Sequence, residues 1–480
     1  MQFTSYSYLV LLIPIVLVYW NLKPNWRPGY LLALSILFYT SWSIKFVLIP
    51  VAVCAGVFVC GSLMQKRPEK GRTWLWVGVS YVLSILIIFK YSHFFYQNVA
   101  SIWPSMSSGP LSTLISFGLP LGISFYSFEA ISYLIDARQR RVKGISISDL
   151  LLFVMFWPHL IAGPIVRIRE LVPQFRQAKT FDTSYLVLGL DRIILGLVQK
   201  NVFANSIGSW VDSGFLENAS RLNSTIDNWF LAIGFGLQIY FDFAAYSNIA
   251  IGVAQLLGIK LPENFNFPYY AENPSDFWSR WHMTLSRWVR DYLFFPINAK
   301  FKGAPLPLYT SLIGIMGLVG LWHGAGWGFV LWGLLHGTYL VVYRIWESLE
   351  EKLKPGKAGK WLSRQLWRGI TLVAVVIAWV PFRAVSLAQT KTMLASMLFR
   401  FQFTISYSVN FYLITLLLVA VCVIEPWVFR ILAWYARVSD SSRVGQLSRM
   451  YFVKPLLYAI GLLIFISFDD LDSKFIYFQF

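Results

Sequence analysis

Long apolar runs alternate with short polar clusters along the whole chain, and that alternation predicts the secondary structure before any motif is considered. Runs near 6–20, 29–43 and 46–63 lead to Gln65–Arg72, whose Lys66, Arg67, Lys70 and Arg72 mark a cytoplasmic turn. A span near 73–90 follows, then the uncharged stretch Tyr91–Leu111, which reads as an external loop because of Pro104, Ser107, Ser108 and Gly109. The run 112–135 returns to a basic cluster at Arg138, Arg140, Arg141 and Lys143. Leu150–Val166 has basic residues on both sides and contains Trp157-Pro158-His159-Leu160-Ile161-Ala162-Gly163-Pro164, so it reads as re-entrant rather than crossing. His159 there caps the broken helix or binds a ligand. Runs near 184–203 and 228–258 cross out and back, joined by an acidic loop over Asp212–Asp227. Farther on, Arg344–Arg368 reads as a basic cytoplasmic loop, and runs near 366–383, 405–431 and 453–468 complete the chain. The prediction is an all-α polytopic membrane protein with about eleven spans, re-entrant pieces and both termini outside. No repeat of fixed period is present, so one domain, 1–480, suffices.

The longest uncharged stretch, Gly303–Tyr343, would be about 60 Å long as one helix, twice the hydrocarbon thickness. It therefore makes two spans or one broken one. It holds two of the five histidines, His323 in Trp322-His323-Gly324-Ala325-Gly326-Trp327 and His336 in Leu335-His336-Gly337. Glycines permit a backbone break beside His323, and the indoles can hold its ring. On a continuous helix His323 and His336 would lie on opposite faces about 20 Å apart. A break at Gly324 or Gly326 would bring them closer.

Two further elements stand out. Phe277–Tyr292 places Trp278, Trp281, His282, Leu285, Trp288, Val289 and Tyr292 on one helical face, with Arg280, Thr284, Arg287 and Asp291 on another. It reads as a basic amphipathic helix at the bilayer surface, either a lipid anchor or a helix aiming His282 inward. Asp242 falls in the middle of the apolar run 228–258, where a carboxylate marks a functional site or accepts a hydrogen bond from a neighbouring Arg or Tyr.

Composition sharpens this picture. Of 480 residues, 57% are hydrophobic and only 13% charged, which excludes a water-soluble protein with one core. The net charge of +18 lies in clusters between apolar runs, so it reports topology and not nucleic-acid binding. Cys54, Cys60 and Cys422 sit within apolar runs without metal-ligand spacing and read as core residues. The first apolar run lacks a basic flank and a cleavage site, so it should remain as a helix. There is no Gly-x-Ser-x-Gly elbow, no phosphate-binding Gly-Lys-Ser/Thr loop and no metal-ligand set.

Several motifs, taken in order, carry a resemblance: Pro120-Leu121-Gly122-Ile123-Ser124-Phe125-Tyr126, Pro158–Pro164, Tyr240-Phe241-Asp242-Phe243, Asn264-Phe265-Asn266-Phe267-Pro268-Tyr269, Phe277–Tyr292, Leu321-Trp322-His323-Gly324 and Phe475–Phe480. The chain resembles membrane-bound O-acyltransferases of the bacterial branch that acetylates alginate and other polysaccharides. It departs from that pattern at Ser279, where relatives often carry arginine, and at Ala137-Arg138, which replaces an aromatic-arginine pair.

The resemblance implies transfer of an acetyl group from cytoplasmic acetyl-CoA across the bacterial inner membrane to an extracytoplasmic polysaccharide, with no other cofactor. An extracytoplasmic hydrolase-like partner protein would complete transfer. His323 matches the family's near-invariant histidine and would be the general base, a role typically worth 10²–10⁴-fold. His282 would orient the donor or steady the oxyanion, and His336, Asp242, Trp278, Trp281, Arg280, Asn264, Asn266 and Trp322 would line the substrate tunnel. Peptidoglycan, or teichoic acid with D-alanine as the acyl group, is an alternative acceptor. A polysaccharide or acyl-carrier transporter would also explain the membrane fold, but would not require His323.

Overall fold

The computed structural model describes residues 3–103, 118–216, 224–301, 304–468 and 475, and the regular elements among them are helices. Eight are long and apolar enough to cross a bilayer: Leu48–Lys66, Pro68–Ile102, Thr225–Leu256, Pro305–His323, Trp327–Leu353, Lys357–Arg383, Val409–Asp440 and Arg443–Ser467. Other apolar runs form helices of 16 residues, Tyr6–Asn21, Arg27–Trp42, Ile123–Arg138 and Thr183–Val198. At about 24 Å these fall short of a full crossing if upright. The outward residues are those a bilayer requires: Leu413 is 57% and Leu417 64% exposed. The chain is an all-α polytopic membrane protein. Thr225–Leu256 differs from the rest, since 89% of its apolar window is buried. It is a core helix, apolar on all sides because protein surrounds it.

The described chain packs as two compact units, 1–193 with 247–262, and 194–246 with 263–480. In the first, Leu48–Lys66, Gly71–Leu86 and Ile123–Arg138 pack on one another. Helix Ile147–Met155 starts at a capping box, Ser146 with Asp149, and stops before Trp157-Pro158. The residue preceding proline disfavours helical backbone. Residues 156–166 are irregular and buried throughout. His159 does not cap the helix; its Nδ1 lies 3.1 Å from Glu129 Oε1. Cys54, Cys60 and Cys422 are all buried.

Several predicted loops are helical. Residues 92–102 continue the preceding helix through a π-turn at Ile87–Tyr91, because no breaker precedes Pro104. The remainder of that predicted loop, 104–111, and the beginning of the run 112–135 lie outside the described residues. Residues 212–216 belong to helix Asn205–Leu216. The basic stretch after Tyr343 is a pair of long helices joined at Lys354-Pro355-Gly356, with Lys354 left-handed at φ 47°. Lys, Arg and Glu are good helix formers, so each helix runs on past its apolar segment.

Candidate functional site

The uncharged stretch forms a helical hairpin. Helix Pro305–His323 ends at His323, Gly324-Ala325-Gly326 turns the chain, and Trp327–Leu353 returns alongside. The two backbones approach closely: a Cβ at Gly320 would collide with the Phe329 carbonyl, and one at Gly333 with the Met316 carbonyl. This reversal, rather than a continuous helix, sets the histidines. His323 and His336 both contact the Trp332 ring, with centroids 5.1 and 4.9 Å away. His323 also meets Trp322 at 4.8 Å and Phe382 at 5.5 Å. His336 meets Phe277 and Trp278 at 5.8 and 5.2 Å.

The segment Phe277–Tyr292 is not one amphipathic helix. It is two short helices, Pro274–Arg280 and Met283–Val289, broken at Trp281-His282, with His282 in the left-handed region at φ 39°, ψ 54°. Histidine tolerates that conformation better than most side chains. The break exposes backbone groups, and Asn264–Asn266 satisfies them. Met283 N–H donates to the Asn264 carbonyl at 2.8 Å, and Asn266 N–H donates to the Arg280 carbonyl at 3.0 Å. The Asn264 side chain is part of the same clasp: Oδ1 accepts from the Thr284 hydroxyl at 2.6 Å and lies 3.2 Å from His282 Nδ1. Thr284 is therefore buried on what the helical spacing makes a polar face.

His282 is fully buried, edge-on to Phe243 at 4.7 Å and 6.4 Å from Trp322. Burial pushes its imidazole down to about 3, so the ring is neutral at ordinary pH. Trp322 thus contacts both His282 and His323, and the order His282, Trp322, His323, Trp332, His336 runs through ring contacts without a gap.

The structure gathers His282, His323, His336, Trp278, Trp322 and Asn264, all within the second unit. Trp281 packs on Phe277 and lies 5.1 Å from Trp379. Arg280 is held by Asp276 at 2.9 Å, and Asn266 is exposed. Asp242 is paired with Lys200, at 2.6 Å, both buried. Lys200 arises from a π-turn at Gln199–Ala204 and also lies over the Phe475 ring. Trp332, Phe382 and Lys200 were not singled out from the sequence, and Thr284 was placed only on the polar face, because the hairpin, the packing of helix Lys357–Arg383, the π-turn and the break bring them in. A cleft of about 550 Å³ is lined by Trp278, Met283, Arg287, Arg290, Val319 and Arg344, among others. Trp278 is common to this cleft and the histidine cluster. Among the described residues no three His, Cys, Asp or Glu side chains gather closely enough to hold a metal ion.

Buried imidazoles with an adjoining arginine-bearing cleft suit proton transfer near an anionic substrate. Comparison with known proteins gives the family. Residues 34–360 match the MBOAT, membrane-bound O-acyltransferase family. The chain is 36% identical over 402 residues to a probable alginate O-acetylase of Azotobacter vinelandii, covering 83% of this chain and 78% of that protein. It is 35% identical to a probable alginate O-acetylase of Pseudomonas aeruginosa, over 81% of this chain and 73% of that one. It is also 35% identical to a peptidoglycan O-acetyltransferase of Helicobacter pylori, over 78% and 74%. The chain belongs to the membrane-bound O-acyltransferase family and is a multi-pass membrane enzyme that transfers acyl groups to oxygen.

Proposed function

We propose that the enzyme takes an acetyl group from acetyl-CoA on the cytoplasmic side of a bacterial inner membrane and passes it towards an extracytoplasmic polysaccharide of the alginate type. An extracytoplasmic hydrolase-like partner completes the transfer. The observation that carries this reading is the seating of His323 at a helix end, walled by Trp322, Trp332 and Phe382 and joined to His282 through Trp322. His323 takes the proton of an attacking hydroxyl, the oxygen adds to the thioester carbonyl, and the carbon–sulfur bond breaks to release the thiolate, which is then protonated. His282 orients the donor or steadies the charge on the carbonyl oxygen. Arg287, Arg290 and Arg344 in the cleft supply cations for the phosphates of the donor. Wall materials such as peptidoglycan are the second reading of the acceptor, favoured by the relative from Helicobacter pylori.

Vesicles containing the full chain and its partner, supplied with labelled acetyl-CoA, test the proposal. Label should appear as an O-ester on de-acetylated alginate and be absent with His323→Gln. Label on peptidoglycan fragments alone would replace the acceptor, and no enzyme-dependent ester from acetyl-CoA would overturn the donor.

A further inference from the structure

We infer that Asn264 and Thr284 lock His282 into the tautomer with hydrogen on Nδ1, so that Nε2 offers a lone pair to a hydrogen-bond donor on the substrate and cannot stabilise an oxyanion. The inference rests on the proposed role of His282 at the site and chooses between the two forms of that role.

The hydrogen bonds fix the tautomer. Asn264 Oδ1 lies 3.4 Å from the Thr284 backbone nitrogen, 2.6 Å from the Thr284 hydroxyl and 3.2 Å from His282 Nδ1. A backbone N–H only donates, so the amide atom facing it is the oxygen and not the NH₂ group. That oxygen has no hydrogen to give, so Nδ1 must supply one. In a neutral imidazole the other nitrogen is then bare. His282 Nε2 is buried and meets no hydrogen-bond partner among the described residues. A buried acceptor left unmet is costly, and a substrate N–H or O–H would satisfy it. A developing oxyanion would instead face a lone pair and be repelled. Two substrate groups have the required chemistry: an amide N–H in the arm of the thioester donor, and the hydroxyl of the acceptor. Asn264 and Thr284 are positioning residues, since they act through His282.

Asn264→Asp supplies the test, because its two readings predict opposite signs. A carboxylate beside Nδ1–H favours imidazolium, typically raising the pKa by about 1–3 units. In the full chain with its partner, transfer from labelled acetyl-CoA to de-acetylated alginate is measured between pH 5 and 9, per folded molecule. Relative to wild type, Asn264→Asp should lose activity progressively on acidification, by up to roughly tenfold at pH 5 when the shift is about three units, as Nε2 becomes protonated. Thr284→Val should reduce transfer, and Thr284→Ser, which keeps the hydroxyl, should restore it. A rise in KM for acetyl-CoA at low pH assigns the bound group to the donor amide, and a rise in KM for alginate assigns it to the hydroxyl. A variant more active on acidification than wild type, or one merely scaled down with an unchanged pH profile, would overturn the inference. His323→Gln is measured in parallel: if it retains transfer while Asn264→Asp shifts as expected, the base assignment fails and this inference stands.

Discussion

Lys200 and Asp242 offer a test that separates structure from chemistry. Their side chains are 4% and 3% exposed and their charged atoms are 2.6 Å apart. Taking either charge away breaks this buried pair, a change that typically costs about 3–5 kcal/mol. Lys200→Met and Asp242→Leu should therefore each shift unfolding strongly, by a large part of the stability of an ordinary domain. Replacing both with apolar side chains removes two desolvation penalties along with the attraction, and such exchanges are often neutral or better. The double variant forfeits the cation over the Phe475 ring, 4.8 Å from its centroid, worth about 0.5–2 kcal/mol. It should thus be more stable than either single variant. Denaturant unfolding of the four proteins in detergent gives the coupling, and acetyl transfer per folded molecule gives the role. We expect a double variant that is folded and active. Stability losses that simply add would refute the pairing argument. A stable but inactive double variant would show that Asp242 takes part in the reaction.

Other outcomes follow from the same structure. Gly333→Leu should prevent the hairpin from closing and abolish folded protein, whereas Gly314→Leu, where a side chain meets open space, should not; yields of monodisperse protein decide it. His282 has its pKa lowered by burial to about 3 from an ordinary value near 6.5, so its contribution to stability is complete above about pH 6.5 and is lost as pH falls towards 3. His282→Gln should lose less stability than wild type between those limits, measured by thermal unfolding across pH. From the Lys and Arg distribution alone, the expectation is that the termini and 204–227 face outside, and 64–72, 136–147, 279–302 and 344–365 inside. An impermeant thiol reagent on single-cysteine variants in intact cells should spare position 357 and label position 213.

Hydropathy made the membrane class and the hairpin legible, since Gly303–Tyr343 has no charged residue and its midpoint carries Gly-Ala-Gly. The approach of His323 and His336 was legible only as the consequence of a break at Gly324 or Gly326, and Trp332 as the ring both contact was not, because a helical wheel presupposes a continuous helix and the reversal abolishes the angle being counted. The break at Trp281-His282 was hidden for another reason. It contains neither glycine nor proline, and it is held by hydrogen bonds from Asn264–Asn266, which only the fold brings alongside. The same cause conceals Thr284. Polar spacing put it on a surface, but a buried partner at Asn264 makes its burial favourable. Asp242 was visible as an anomaly in an apolar run, while its partner Lys200 looked like the end of another helix. Loops were over-predicted wherever charge or serine was read as a stop, since helices of 27 residues carry Lys, Arg and Glu beyond the apolar length without a breaker.

The central claim is that His323 is the base and that His336, which shares the Trp332 ring with it, is not its equivalent. Acetyl transfer by His323→Gln and His336→Ala, per folded molecule and at saturating acetyl-CoA, tests it most directly. Glutamine keeps much of the shape but cannot accept a proton near neutral pH. The account predicts transfer by His323→Gln reduced at least about 10²-fold with the protein still folded, and measurable turnover in His336→Ala. Near-normal turnover in His323→Gln would contradict it.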